Sequence, residues 1–214
     1  MPATILAIAA AISAVTAISL DCMGNKRLYA PFKALTTILF IALAFAAPAS
    51  EYRLWLIATL VLWLAGDVAL TRPNGFVAGL VSFLVGHAVL IAGMVSIANL
   101  EWQRGPVSLW AIVAVAGLIM LGRSVPEKMR APVAIYVFVL VTTAMVATML
   151  MKDMPQAIWL TAGGTLFVIS DFVLAFNKFR RRVPLSPVFI LGTYWGAIAC
   201  FVTFACKTAE TALG

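Results

Sequence analysis

The chain is short of charge and nearly without histidine, and each shortage narrows what it can be. Only 11% of its 214 residues are charged, 64% are hydrophobic, and the mean hydropathy is +1.06, whereas a soluble domain is roughly a quarter charged and half apolar. No water-soluble surface can be assembled from that mixture. The single histidine, His87, excludes a three-histidine zinc site, and no metal or other cofactor is expected. Cys22, Cys200 and Cys206 make no disulfide framework, because the last two lie six residues apart on one helix, roughly 9 Å of rise; all three read as buried or structural thiols. G-x-S-x-G, H-E-x-x-H and a phosphate-cradling glycine loop are absent from the sequence, so serine-hydrolase, zincin and nucleotide readings lack support.

What the sequence has is long apolar runs. A helix needs about 20 mainly apolar residues to cross the hydrocarbon, and unpaired backbone groups forbid open sheet there. The fold class is therefore all-α. Polar breaks at 21–32, 48–53, 71–75, 99–106, 122–131, 152–156 and 177–187 leave eight runs, at 2–20, 33–49, 53–71, 76–98, 106–122, 131–151, 156–176 and 187–206. They predict one membrane domain over 1–214, a bundle of eight transmembrane helices. No lysine or arginine precedes the first run, so it reads as a span and not as a cleaved leader.

Charge placement orients the bundle. Lys26, Arg27, Lys33, Arg72, Arg123, Lys128, Arg130, Lys178, Arg180, Arg181 and Arg182 flank the odd-to-even connections and make up eleven of the fifteen basic residues; Arg53, Arg104, Lys152 and Lys207 flank the others. The positive-inside rule then predicts both termini on the non-cytoplasmic side. The same distribution accounts for the net charge of +7 without nucleic acid, since the basic residues form no single exposed stripe. With short loops, any chemistry is confined to the helices or their cytoplasmic ends.

Two acids stand inside the apolar runs: Asp67 in Leu64-Ala65-Gly66-Asp67-Val68-Ala69-Leu70, and Asp171 in Ser170-Asp171-Phe172-Val173-Leu174. Helices three and seven run the same way, so the carboxyls lie at similar depth. A carboxylate inside a membrane helix costs a few kcal/mol and is a functional candidate by default; the bland alternative is an interhelical anchor paired to Arg72 or Lys178. The two segments hint at duplication of a four-helix unit. An intramembrane aspartyl protease is disfavoured, because the glycine two residues before the Gly-Asp pair is missing.

Other helix residues offer support. Gly79, Gly86 and Gly93 share a heptad face with Ser82 nearby and read as a packing stripe. His87 lies off that stripe near mid-bilayer, where its ring needs a polar partner. Helix seven carries two heptad rows, Gly163-Ser170-Asn177 and Gly164-Asp171-Lys178. Lys33 opens helix two and Tyr194 lies in helix eight; the ordinary readings are a snorkelling lysine and a bundle tyrosine.

The run Gly164-Thr165-Leu166-Phe167-Val168-Ile169-Ser170-Asp171-Phe172-Val173-Leu174-Ala175 followed by Lys178-Phe179, the Gly66-Asp67 pair with Leu70, and Gly79-Leu80-Val81-Ser82-Phe83 leading into Gly86-His87 resemble the YhhN-like lysoplasmalogenase family, which includes the animal lysoplasmalogenase-like transmembrane proteins. The resemblance spans nearly the whole chain. Departures occur where the family tends to have Lys-Pro and this chain has Lys33-Ala34, and where its usual glutamine after Tyr194 appears as Ile198. The resemblance implies hydrolysis of the vinyl ether of a lysoplasmalogen to a fatty aldehyde and a glycerophospho-alcohol, with a lysophospholipid substrate, membrane lipids as surroundings, and a location in a bacterial inner (plasma) membrane. That reaction needs a proton donor and a nearby anion, roles that Asp67 and Asp171 can divide. His87 is expected to orient water or a carboxyl and Lys33 to hold the phosphate, with Ser170, Asn177, Lys178 and Tyr194 as further substrate contacts. Two other readings stay open: a proton-coupled membrane transporter, and a non-catalytic lipid-binding membrane protein.

Overall fold

A computed structural model describes residues 2–98 and 100–212, with side chains for 3–98 and 100–208. The chain forms α1 (Pro2–Cys22), α2 (Lys26–Ala46), α3 (Glu51–Leu70), α4 (Phe76–Ser96), α5 (Arg104–Leu121), α6 (Glu127–Leu150), α7 (Ile158–Phe179) and α8 (Ser186–Ala212), with 3-10 turns at Gly122–Ser124 and Pro155–Ala157. All eight helices are long and apolar enough to cross a membrane, and no strand occurs among the described residues. The protein is an all-α, eight-span integral membrane protein.

The expected boundaries need one large correction. α2 begins at Lys26, seven residues before residue 33, because Asn25 caps it: its side chain accepts a hydrogen bond from the Leu28 amide at 3.3 Å, which satisfies one of the first turn's orphan donors. Lys26 and Arg27 are exposed on that turn, and Pro31 follows inside the helix, where it removes one backbone bond without ending the span. α6 likewise starts at Glu127 instead of 131 and holds Pro132 within it. α2 stops at Ala46 because Ala47 precedes Pro48 and is extended, with ψ of 152°. α8 runs past the expected end at 206. Cys22 is exposed at the end of α1, contrary to its reading as a buried thiol.

Small residues set how the helices meet. A Cβ on Gly79, Gly86 or Gly93 would stand 2.7, 2.4 and 2.4 Å from side-chain atoms of Leu70, Trp63 and Trp55. The stripe on α4 is thus the seat of α3, and Ser82 adds a 2.6 Å hydrogen bond to the Leu62 carbonyl. On α7 the two heptad rows part company: Gly163 meets Phe201 of α8, and Gly164 meets Ala144 of α6. α2, α3, α4, α6, α7 and α8 each pack against the next in a closed ring, with α8 returning to α2. α1 lies outside the ring on α2 and α8, and α5 lies outside it on α6 and α7. Outward-facing Ile8, Val15, Ile112, Ile119 and Phe138 are all more than half exposed, a surface suited to lipid chains.

The C-terminal ends of the odd helices and the N-terminal ends of the even ones share one end of the bundle. Lys26, Arg27, Arg72, Arg123, Lys128, Arg130, Lys178, Arg180, Arg181 and Arg182 are exposed there. Lys33 departs from that set. It sits on the second turn of α2 and is only 5% exposed, so it neither opens the helix nor snorkels to the interface.

Candidate active site

Helical periodicity carries polar side chains inward at this end. On α3, Leu56, Leu60, Trp63 and Asp67 follow a four-three-four spacing and are all buried; on α2, Lys33, Thr37, Phe40 and Ala44 do the same. The two faces meet, and Lys33 Nζ stands 3.1 Å from Asp67 Oδ1. Thr37 Oγ1 donates to Asp67 Oδ2 at 2.7 Å, and the Tyr194 hydroxyl of α8 donates to the same oxygen at 2.9 Å. Asp67 is 1% exposed and its charge is matched by the lysine. A buried carboxylate needs such compensation. The anchoring partner is therefore Lys33, not Arg72 or Lys178.

Asp171 has different company. The Tyr136 hydroxyl of α6 donates to Asp171 Oδ2, and no basic side chain forms an ion pair with it among the described residues. Both carboxyls line one cavity of about 370 Å³, within the range of roughly 300–1,000 Å³ common for small-molecule sites. Lys33, Asp67, Tyr136, Ser170, Asp171 and Tyr194 are its polar lining, and the rest of the wall is apolar. Within so apolar a lining, electrostatic interactions are stronger than at a surface.

Of the residues singled out from sequence, Asp67, Asp171, Lys33, Ser170 and Tyr194 come together on this cavity. The Ser170 hydroxyl is already committed, donating to the Ile190 carbonyl at 2.9 Å. His87, Asn177 and Lys178 are not brought to it. His87 is wholly buried, with Nδ1 3.2 Å from Thr143 Oγ1 and its ring against Trp63 and Phe167 at centroid distances of 5.0 and 4.4 Å. It also faces the Tyr136 ring at a centroid distance of 6.2 Å, and Thr143 is its hydrogen-bond partner among the described residues. The Asn177 side chain accepts from the Val183 amide at 2.9 Å and shapes the turn into α8. Lys178 is exposed with Nζ 4.8 Å from the centre of the Phe76 ring, because one more heptad beyond Asp171 carries the helix face out at the basic end. Among the described residues no three His, Cys, Asp or Glu side chains gather at a possible metal site.

Thr37 and Tyr136 were missed from sequence. A threonine in a membrane helix usually bonds its own backbone and gives no signal. Tyr136 does carry one: it is the only polar side chain between Val133 and Val141, and a buried tyrosine hydroxyl needs a partner.

Comparison with known proteins places the chain in a family. The sequence model of the YhhN family matches residues 28–204, a span that contains every polar residue of the cavity. The human protein lysoplasmalogenase TMEM86B is 29% identical over 158 residues, covering 71% of this chain and 63% of that protein; the chain thus spans less than two thirds of the relative's length. No solved structure matches the chain. Its eight apolar spans and a match running from the start of α2 to near the end of α8 establish that the chain belongs to the YhhN family.

Proposed function

We propose that the protein hydrolyses the vinyl ether of a lysoplasmalogen, with Asp171 as the proton donor and the Asp67–Lys33 pair as the fixed polar partner. The observation that carries this reading is that two carboxyls from different helices line one otherwise apolar cavity. Membership of the YhhN family and the human relative's name, lysoplasmalogenase, support the same reaction.

The chemistry divides between the carboxyls according to their partners. Protonation of the vinyl ether's β-carbon by Asp171 leaves an oxocarbenium ion on the oxygen-bearing carbon and a carboxylate on Asp171. That carboxylate lies beside the new cation and takes a proton from the water that adds to it. The hemiacetal then collapses: its hydroxyl proton passes to the departing glycerol oxygen, and the aldehyde is released. Water is consumed, and Asp171 ends protonated, with a proton from that water in place of the one it gave to carbon. Asp67 has spent its oxygens on Lys33, Thr37 and Tyr194, so it orients and does not donate. Lys33 faces the cavity, where it can also receive the phosphate. The basic end is read as cytoplasmic, with the lipid headgroup toward it.

The test is a panel of lysophospholipids offered to purified protein, alike except for a vinyl ether, alkyl ether or ester link, with aldehyde read by mass spectrometry. Aldehyde is expected from the vinyl ether alone, and from neither Asp67→Asn nor Asp171→Asn when both remain folded. Either variant working at the wild-type rate would discard the pairing. A proton-coupled carrier is the second reading, favoured because each four-helix half holds a carboxyl on its third helix bonded from its second. Substrate-driven proton flux in proteoliposomes without product would select it.

A further inference from the structure

The polar lining of the cavity comes from α2, α3, α6, α7 and α8, and the proposed chemistry uses only those residues. Another wall belongs to α5, where Val113, Ala116, Gly117, Met120 and Leu121 face the cavity at spacings that place them on one side of a helix. None carries a hydrogen-bonding side chain. α5 also breaks the two-fold likeness of the bundle: α1 packs on α2 and α8, whereas α5 packs chiefly on α6 and α7. It therefore stands over the seam between the helices that carry Tyr136 and Asp171. Met120 and Ile169 line the cavity and are still 46% and 43% exposed, so the cavity reaches the lipid-facing surface beside α5.

Gly117 is the unusual residue on this wall. At Gly79, Gly86, Gly93, Gly163 and Gly164 the missing side chain makes room for a neighbouring helix, but a Cβ on Gly117 would meet nothing within 4 Å. The space it leaves is cavity. From this we infer that α5 is the wall of a lipid-chain channel: the substrate's hydrocarbon tail enters from the bilayer past Met120 and Ile169, lies along the Val113–Gly117–Met120 face, and is limited in bulk and reach by Gly117. The inference rests on the hydrolase reading, because a single-chain lipid whose reactive bond sits at Asp171 must send its tail along an apolar path. This wall is continuous with that carboxyl.

The experiment uses a non-cleavable alkyl-ether lysophospholipid, in long-chain and short-chain forms, titrated calorimetrically into detergent-purified wild type, Gly117→Phe and Ile119→Phe. Aldehyde release from the vinyl-ether lipid is measured in parallel. Gly117→Phe is expected to weaken the long-chain analogue about tenfold relative to the short one, the scale of losing roughly two buried methylenes. Ile119, 74% exposed on the opposite side of α5, serves as control, and its variant is expected to bind like wild type. If Gly117→Phe does not fold, Ala116→Leu offers a smaller intrusion on the same face with the same expected chain-length bias. Unchanged binding of both chains, or equal loss of both, overturns the channel. Absence of aldehyde from the wild type would instead fell the hydrolase reading, while the binding series still decides whether the tail lies on α5.

Discussion

Removing one member of the Lys33–Asp67 pair strands the other's charge in a dry interior, because both side chains are almost fully enclosed. Breaking a buried pair from one side costs about 3–5 kcal/mol, whereas replacing both partners with neutral groups costs far less. Lys33→Met should therefore lower the unfolding midpoint in detergent sharply, and adding Asp67→Asn should restore most of it; a Lys33→Met protein as stable as wild type would remove the pair from the account. Tyr136→Phe keeps the ring and deletes only the hydroxyl that holds Asp171. The carboxylate that Asp171 becomes as it gives up its proton is what this bond stabilises; a hydrogen bond to a charged group is worth about 1.5–3 kcal/mol, so turnover should fall roughly tenfold to a hundredfold with the fold intact, as read by aldehyde release. At this scale the two aspartates were legible in the sequence because carboxyls inside apolar runs are rare. The burial of Lys33 against Asp67 was not, since Lys26, Arg27 and Pro31 read as loop and pushed the start of α2 too far along.

The interface between α3 and α4 depends on glycines that admit tryptophans. A methyl on Gly86 would come within 2.4 Å of Trp63 Nε1, and Trp63 is itself enclosed by Phe83, Phe167, Phe201 and His87. It has no room to yield. Gly86→Ala should destabilise by about 1–3 kcal/mol, the usual cost of overpacking, while Gly117→Ala should cost nothing; thermal unfolding of the two variants compares them directly. The heptad spacing of Gly79, Gly86 and Gly93 made this stripe readable in advance, though not its partners. Outside the spans, the ion pair between Glu101 and Lys152 behaves differently. The hydrogen bond and charge of Lys152 hold the Glu101 carboxyl below its ordinary range, and Glu101 raises the Lys152 ammonium. What the pair contributes is thus complete between the two ordinary values and is lost as pH falls through Glu101's lowered value or rises through Lys152's raised one. Both groups stand in water, where salt screens them, and Glu101→Gln should leave the unfolding midpoint unchanged.

Across the whole molecule, two four-helix halves enclose one cavity, and each contributes a carboxyl from its third helix. Hydropathy and the alternation of basic residues made the eight spans and their shared basic end legible. The pairwise meeting of helices was not, because apolar surfaces facing lipid and facing protein have the same composition; the contrast between outward Ile112 and Ile119 and cavity-facing Val113 and Met120 on α5 appears only once the helices are packed. The central claim is that Asp171 hands a proton to carbon inside that cavity. Its most direct test is aldehyde formed from a vinyl-ether lysophospholipid in heavy water. The account predicts one deuterium on the carbon next to the aldehyde group, at a rate that vanishes in Asp171→Asn. Aldehyde formed without deuterium at that carbon, or at an undiminished rate by Asp171→Asn, would contradict it.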